Sequence, residues 1–327
     1  MSGCTETGKP RIAILMAVYE PQLDWLREQL ESLEKQTYPN LKLYVRDDCS
    51  ETVSFEEIER CIKEYIHSFP YEIQRNEANL GSNRTFERLT EEAEGTYFAY
   101  CDQDDVWLPE KLAVLQEELE RTDALLVCSD MYIIDGEGKQ TADSITKARR
   151  HHVFHSGEGL SYGLLFHNFV TGCTALVKSM DAKAAIPFCP YMVHDHYLAL
   201  WCAERGAVIS VQRPLIRYRI HDNNQTLLLA GVHDKISYGT IRIGGMLERL
   251  RWLQKYFPCG DGLNAEISRG LDWVRGREDN WQHKGGGEKV WKYRRYSLLT
   301  SLFELIAVNM PEGLFRFCIH IARRNWI

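Results

Sequence analysis

Apolar and polar positions follow two alternating periods along the first two thirds of the chain. Ile12 to Val18 is an unbroken apolar run between Pro10 and Pro21, which predicts a strand covered on both faces and therefore a parallel sheet. Leu23, Leu26, Leu30 and Leu33 follow at helical spacing, and Leu41 to Val45 supplies a second strand that ends in Arg46-Asp47-Asp48. The segment reads as a βαβ unit. Ser54 and Glu57 have the spacing of a capping box ahead of a helix whose Ile58, Ile62, Tyr65 and Ile66 share one face. Strands are predicted at Tyr71 to Gln74 and Tyr97 to Cys101. Pro109 fits the first turn of a helix carrying Leu112, Leu115 and Leu119, and Ala124 to Ser129 reads as the next strand. From Asp135 to Gly159 the periodicity is lost and a loop is predicted, with DGEGK as a turn and a basic, histidine-rich stretch from Lys147 to His155 behind it. A strand from Cys173, a helix around His194 to Arg205, and strands at Ala207 to Val211 and Pro214 to Ile220 complete an α/β sandwich with a mostly parallel sheet. Beyond Asn224 the pattern is helical, with Gly285 to Gly287 marking a hinge or loop. The expected division is a flexible N-terminus over 1–10, an α/β domain over 11–225 and a helical extension over 226–327.

A chain of 327 residues with 44% hydrophobic content buries a full core, enough for two domains of roughly 150 residues each. A net charge of -7 supplies no general basic field, which argues against nucleic acid as a partner. Ten cysteines are scattered with no CxxC pair, so zinc and redox pairs are not indicated and a reducing cytosol fits. The start, MSGCTETGKPR, lacks the apolar stretch of a secretory leader. Leu298 to Met310 is broken by Glu304 and is shorter than the ~20 residues that span a bilayer. The expected location is cytoplasmic, with any membrane contact peripheral.

Ligands of open α/β sheets collect beyond the carboxyl ends of the strands. Three polar clusters fall there: Tyr19-Glu20, Asp47-Asp48, and Asp102-Gln103-Asp104-Asp105. Carboxylates crowded on one rim repel one another unless a cation or a donor-rich ligand sits among them. Taken alone, Asp47-Asp48 reads equally well as a turn ahead of an N-cap at Ser50 or Ser54, and a short DxD is common in solvated loops. The strand before Asp102 and the Trp107-Leu108-Pro109 behind Asp105 supply the missing context.

Seven segments now stand in order: AVYEP (17–21), VRDDCS (45–50), NEANLG (76–81), DQDDVWLPEKL (102–112), TGCTAL (171–176), HDHYLAL (194–200) and YRIHDNNQT (218–226). In these the chain resembles the family 2 glycosyltransferases of GT-A fold, and among them the rhamnosyltransferase-like group, over residues 11–225. The resemblance implies that Ala17 and Tyr19 line the nucleotide base and that Asp48, with Asp47, hydrogen-bonds the base edge. Glu20 and Gln103 join this nucleotide-contacting set by position; Arg75 and Asn79 join it too, though plain surface hydrogen bonding explains them equally well. By the same resemblance Asp102 contacts the ribose or sugar, Asp104 binds a metal with Asp105 in support, and His221 is a second metal ligand. Carboxylate and phosphate oxygens suit Mg²⁺ or Mn²⁺. Asp195 is implied as the general base that deprotonates the acceptor hydroxyl, with inversion, and His194 and His196 shape the acceptor site. Trp107 either stacks on a sugar face or belongs to the core. Departures from the commonest family pattern, Cys49, Glu20 and HDNN, remove no expected catalytic group.

The expected activity is transfer of L-rhamnose from dTDP-rhamnose, or of a hexose from a UDP-sugar, to a hydroxyl of a lipid-linked saccharide at the cytoplasmic face of the plasma membrane. A sugar nucleotidyltransferase would want a glycine-rich, basic triphosphate loop, and AVYEP is not one. A non-catalytic scaffold subunit is opposed by the presence of Asp104, Asp195 and His221.

Toward the C-terminus, Lys289, Lys292, Arg294 and Arg295 surround Trp291, Tyr293 and Tyr296 ahead of Leu298 to Met310. Phe315, Phe317, Ile319 and Ile321 then precede Arg323-Arg324-Asn325-Trp326. Such a pattern suits an anionic membrane surface. It suits helix packing onto the α/β domain or onto a second copy of the chain, as a homodimer, equally well.

Overall fold

A computed structural model describes residues 8–149, 152–221 and 229–324. The chain divides into two compact units, Met1–Asp222 and Asn223–Ile327.

In the first unit the strands are β1 (Ile12–Val18), β2 (Leu41–Asp47), β3 (Tyr71–Arg75), β4 (Tyr97–Cys101), β5 (Val106–Trp107), β6 (Leu126–Ile134), β7 (Gln140–Ala142), β8 (Ala175–Lys178) and β9 (Val208–Arg219). Its helices are α1 (Leu23–Glu34), α2 (Phe55–Tyr65), α3 (Ser82–Glu92), α4 (Lys111–Thr122), α5 (Ile145–Ala148), α6 (Ser161–Leu164), α7 (Ser179–Ala184) and α8 (His194–Arg205). The sheet order is β3-β2-β1-β4-β8-β6-β9-β5, with β7 hydrogen-bonded to β6. The long ladders, β1 with β2 and β4, β2 with β3, and β6 with β9, are parallel. The antiparallel pairings are only two or three residue pairs long. The sheet is therefore mostly parallel, as the apolar run of β1 predicts. Leu26, Leu30 and Leu33 of α1 and Ile58 and Ile62 of α2 are buried in the same core as Ile12, Ile14 and Met16. The capping box forms in both directions: Glu57 N donates to Ser54 Oγ at 3.2 Å and Ser54 N to Glu57 Oε2 at 3.1 Å.

The structure differs from the sequence pattern in four places. Ala207–Val211 and Pro214–Ile220 are one strand, β9, because its pairing with β6 shifts register around Asp130 and Pro214 and then continues. The stretch from Asp135 to Gly159 is not all loop: β7 folds back on β6 after the DGEGK turn, and Ser144 caps α5. Both elements are too short to show a period. Helix α3 has no sequence signal because its inward face mixes Phe86 and Leu89 with Thr85 and Thr90. Pro109 stands two residues ahead of α4 and not within its first turn.

The second unit is helical: α9 (Lys235–Tyr238), a π-helical stretch at Gly239–Gly244, α10 (Gly245–Tyr256), α11 (Asp261–Trp281), α12 (Gly287–Lys292), α13 (Leu298–Ala307) and α14 (Glu312–Arg324). Leu263, Ile267, Leu271 and Val274 of α11 lie in its core. Beside them Arg277 is paired with Glu304 through bonds of 2.8 and 2.6 Å, and the Tyr238 hydroxyl donates to the same carboxylate at 2.9 Å. Gly286 has φ +89, and a Cβ there would collide with the Gly276 carbonyl. Gly285–Gly287 is thus a tight turn packed on α11. No described helix is long and apolar enough to cross a membrane.

Candidate active site

β2, β1 and β4 are parallel neighbours, so the polar clusters at their carboxyl ends share one rim. Two non-glycine residues there adopt left-handed backbone, Glu20 at φ 44 and Cys49 at φ 63, a conformation that costs about 1–2 kcal/mol each. Hydrogen bonds hold them in it. Glu20 N donates to Ser50 Oγ at 2.9 Å, and the Glu20 carboxylate accepts from Glu51 N at 2.6 Å and Thr52 N at 3.1 Å. Ser50 Oγ in turn donates to Asp47 Oδ1 at 2.6 Å. Asp48 accepts from Asn76 Nδ2 and Leu80 N on Oδ1 and from Gly81 N on Oδ2, at 2.7, 2.8 and 2.8 Å. Arg75 donates to Ser50 O at 2.6 Å and lies 3.3 Å from Asp47 Oδ2, while Asn79 Oδ1 accepts from Gly81 N at 3.1 Å. Glu20, Asp47 and Asp48 therefore spend their carboxylates on the loops of the rim. Tyr19 is exposed and Ala17 half-buried beside them. Gln103 ties this rim to the next loop, accepting from Tyr19 N at 2.8 Å and donating to Tyr19 O at 3.0 Å.

The acidic loop after β4 is fastened to the end of β9 by Arg219, a fully buried residue. Its backbone N–H donates to Asp105 Oδ1 at 3.0 Å, its Nε to Asp104 O at 2.8 Å, and its Nη1 to the carbonyls of Asp135 and Gly136 at 3.3 Å each. Glu28 completes the pair with its guanidinium. This anchoring brings His221 Nε2 to 2.7 Å from Asp104 Oδ2, across 117 residues of sequence. Both side chains are 16% exposed. The Trp25 ring, 4.8 Å from the imidazole, backs it from the other side. The segment from Asp222 to Thr226, the remainder of the last motif, lies outside the described residues.

Deeper in, one oxygen each of Asp102 and Asp105 and the Cys173 sulfur lie within 4.8 Å of one another. Burial first, and the neighbouring carboxylates second, push both Asp102 and Asp105 above the usual carboxylate range. Burial likewise holds the Cys173 thiol protonated, a poor ligand for a hard cation. Asp104 and His221, partly open and hydrogen-bonded to each other, are the accessible pair that could hold a divalent cation: the carboxylate oxygen suits Mg²⁺ or Mn²⁺, and the imidazole nitrogen, a softer donor, fits Mg²⁺ less well. The Lys111 ammonium supplies counter-charge to the half-buried Asp102 and the buried Asp105. It donates to Cys173 O at 2.5 Å and sits 2.9 Å above the Trp107 ring, and burial lowers its pKa to about 7. Trp107 is 2% exposed. Of its two sequence readings the core reading holds, since Lys111 covers the face that a sugar would need.

Asp195 stands in the first turn of α8. Its Oδ2 accepts from Gly172 N at 2.9 Å, and its Oδ1 from Asn168 Nδ2 at 3.2 Å and from the His196 N–H. Desolvation outweighs these bonds and raises its pKa to about 6. Asp195 is close enough to Asp102 for its charge to raise that group as well, which joins the head of α8 to the acidic loop. His194 and His196 are both buried. The His194 ring packs on Phe86 at 4.1 Å and Tyr100 at 5.1 Å, and His196 Nε2 bonds Leu164 O at 2.5 Å. Both histidines flank Asp195 in the chain and are packed into the interior.

Sequence reasoning does not single out Arg219, Lys111, Asn168 or Gly172. For Lys111 a signal exists: it shares the inward face of α4 with Leu112, Leu115 and Leu119, and a charge on an apolar face needs a partner. The partners of Arg219 come from three separate segments, which no local pattern records.

The profile of the family described as glycosyl transferase family 2 matches residues 13–184. An uncharacterized glycosyltransferase of Methanocaldococcus jannaschii is 33% identical over 135 residues, 41% of this chain and 46% of that protein. The dTDP-rhamnosyl transferase RfbG of Shigella flexneri is 25% identical over 252 residues, 73% of this chain and 81% of that protein. Among solved structures, S. aureus TarS in complex with UDP-GlcNAc superposes with a TM-score of 0.56 at 15% identity, covering 97% of this chain and 88% of that one. The mannosyltransferase PcManGT from Pyrobaculum calidifontis, in complex with GDP-Man and Mn²⁺, gives 0.55 at 14% identity, covering 98% and 86%. With its β1-to-β4 rim, its acidic loop and more than half of its length inside the family profile, the chain belongs to glycosyl transferase family 2.

Proposed function

We propose that the protein is an inverting, metal-dependent glycosyltransferase that moves a sugar from a nucleoside diphosphate sugar to a hydroxyl of a saccharide acceptor. One observation carries this reading: Asp104 Oδ2 and His221 Nε2 lie 2.7 Å apart, both reachable from solvent, at the carboxyl end of the sheet. A bound Mg²⁺ or Mn²⁺ would supply positive charge against the departing diphosphate, and Asp104 and His221 would hold it. Ala17 and Tyr19 line the base, and Asp48, with Asp47 behind it, offers the one lone pair left on its Oδ2 to the base edge. Glu20, Arg75, Asn79 and Gln103 act on the nucleotide through the loops they bind. Asp102 takes a hydroxyl of the ribose or the sugar, and Asp105 supports the loop. Asp195 accepts the proton of the acceptor hydroxyl as that oxygen attacks the anomeric carbon opposite the leaving group, which inverts the configuration. With a pKa of about 6 it is ionised at neutral pH and more basic than an exposed aspartate.

The donor proposed first is dTDP-L-rhamnose, which the likeness to RfbG supports, with a UDP-hexose as the alternative. The acceptor proposed is a lipid-linked saccharide of a cell-surface glycan at the cytoplasmic face of the membrane. The likeness to the putative teichuronic acid biosynthesis glycosyltransferase TuaG of Bacillus subtilis, 24% identical over 66% of this chain and 81% of that protein, supports a cell-surface product. The test is turnover of a panel of dTDP- and UDP-sugars with Mg²⁺ or Mn²⁺, comparing wild type with Asp104→Ala and Asp195→Asn. One donor turned over by the wild type and by neither variant is expected, with metal-dependent thermal stabilisation by the nucleotide kept in Asp195→Asn and lost in Asp104→Ala. No turnover together with no metal-dependent nucleotide binding would leave the scaffold reading in its place.

A further inference from the structure

The second unit carries an apolar surface that its own core does not use. On α13 the buried residues are Ser301, Glu304 and Ala307, whereas Leu298, Leu299, Leu302 and Ile306 are exposed, Leu299 by 70% and Ile306 by 65%. At 100° per residue these four fall within a single arc of roughly 100°, opposite the buried face. On α14 Phe315 and Ile319 are buried, and Leu314, Phe317 and Ile321 are exposed, Phe317 by 59%. Those three fall on one stripe at i, i+3 and i+7, apart from the exposed Glu312, Arg316 and His320. Contact between the Phe303 and Phe315 rings, at 5.9 Å, holds the two helices together. Helix α13 thus keeps a mixed face inside and α14 an apolar one, and both turn leucine, isoleucine or phenylalanine outward as well. Solvent exposure alone does not favour that arrangement.

The segment leading into α13 is cationic. Lys284, Lys289, Lys292, Arg294 and Arg295 stand there against a single acidic residue, Glu288, in a chain whose net charge is -7. Arg295 is ion-paired with Glu266. Arg294 lies 4.3 Å over the exposed ring of Trp291, an aromatic and cation pairing that suits the boundary between headgroups and acyl chains. A two-fold contact centred on these stripes would bring the cationic segments of both copies into one interface, like charge with like. An anionic surface would neutralise it.

We infer that the second unit docks on an anionic lipid surface, with the exposed stripes of α13 and α14 dipping into the acyl boundary and Lys289, Lys292 and Arg294 meeting the headgroups. Docking of this kind is parallel to the membrane, in keeping with described helices that are not built to span one. The inference goes beyond the transfer reaction and needs no nucleotide sugar.

The test is co-sedimentation of the full chain with vesicles of phosphatidylcholine alone and of phosphatidylcholine with phosphatidylglycerol, at low and high salt. Binding to the phosphatidylglycerol vesicles, weakened by salt, is expected. Lys292→Ala and Arg294→Ala should each weaken it about fivefold, from ~1 kcal/mol per cation near the surface. Leu299→Gln/Ile306→Gln/Phe317→Gln should abolish it while leaving the melting temperature unchanged, because all three side chains are exposed. Equal binding to both vesicle types, or no binding to either, overturns the inference. So does self-association, read by light scattering, that the triple variant abolishes; it would assign this surface to a second copy of the chain.

Discussion

Gly172 is the position where one methyl group tests the geometry of the site. A Cβ there would lie 2.6 Å from His194 Nε2, 3.1 Å from its Cε1 and 3.4 Å from Asp195 Cβ. The imidazole has little room to yield, since Phe86 packs on it at 4.1 Å and Tyr100 at 5.1 Å. Overpacking a tight site costs about 1–3 kcal/mol. At roughly 2–4 °C per kcal/mol for a domain of this size, Gly172→Ala should lower the melting temperature by roughly 2–12 °C. The same glycine donates its N–H to Asp195 Oδ2 at 2.9 Å, so the carboxylate moves with the strain. A misplacement near 1 Å costs about a hundredfold in rate. Scanning calorimetry and donor turnover read the two effects, and a double-mutant cycle with His194→Ala assigns their cause. Removing the imidazole removes the collision, so Gly172→Ala should cost clearly less stability in that background than in the wild type. Strictly additive losses, or a Gly172→Ala protein as stable and active as its parent, would refute the close approach.

Three further outcomes follow from the same geometry. Turnover should fall on the acid side with a midpoint near pH 6, since Asp195 must be ionised to accept a proton and burial raises its pKa to about 6. A limb near pH 4, the ordinary aspartate value, would remove Asp195 from the role of base. Arg219→Lys keeps the charge but loses the planar fork that reaches Asp104 O, Asp135 O and Gly136 O. It should weaken Mn²⁺-dependent nucleotide binding by about 10–100-fold, measured by calorimetric titration; unchanged affinity would show that the His221–Asp104 approach does not depend on it. In the second unit, Glu304→Leu leaves the Arg277 guanidinium buried and unpaired and should cost about 3–5 kcal/mol in urea denaturation. Arg277→Met/Glu304→Leu should recover much of that loss, and no recovery would mean that the pair is favourable in its own right.

Features of this protein whose cause is local are legible in the chain before it folds. The unbroken run of β1, the 3.6-residue spacing of α1 and the Ser54–Glu57 box each contain within a few residues the apolar burial or hydrogen bond that defines them, and all three form. The order of the polar clusters identified the rim, because the carboxyl ends of adjacent parallel strands must lie side by side. Tertiary structure alone decided the rest. It joined Pro214 into a single strand by a register shift against β6, and it sorted Trp107 into the core by placing Lys111 over its ring. It brought Asp104 to His221 through Arg219, whose partners lie in three segments. It also turned the leucines of α13 outward, because the buried Arg277–Glu304 pair claims that helix's other face. Except for the Lys111–Trp107 contact, which spans four residues, the deciding energy is a contact between residues distant in the chain, and such contacts leave no period in a sequence.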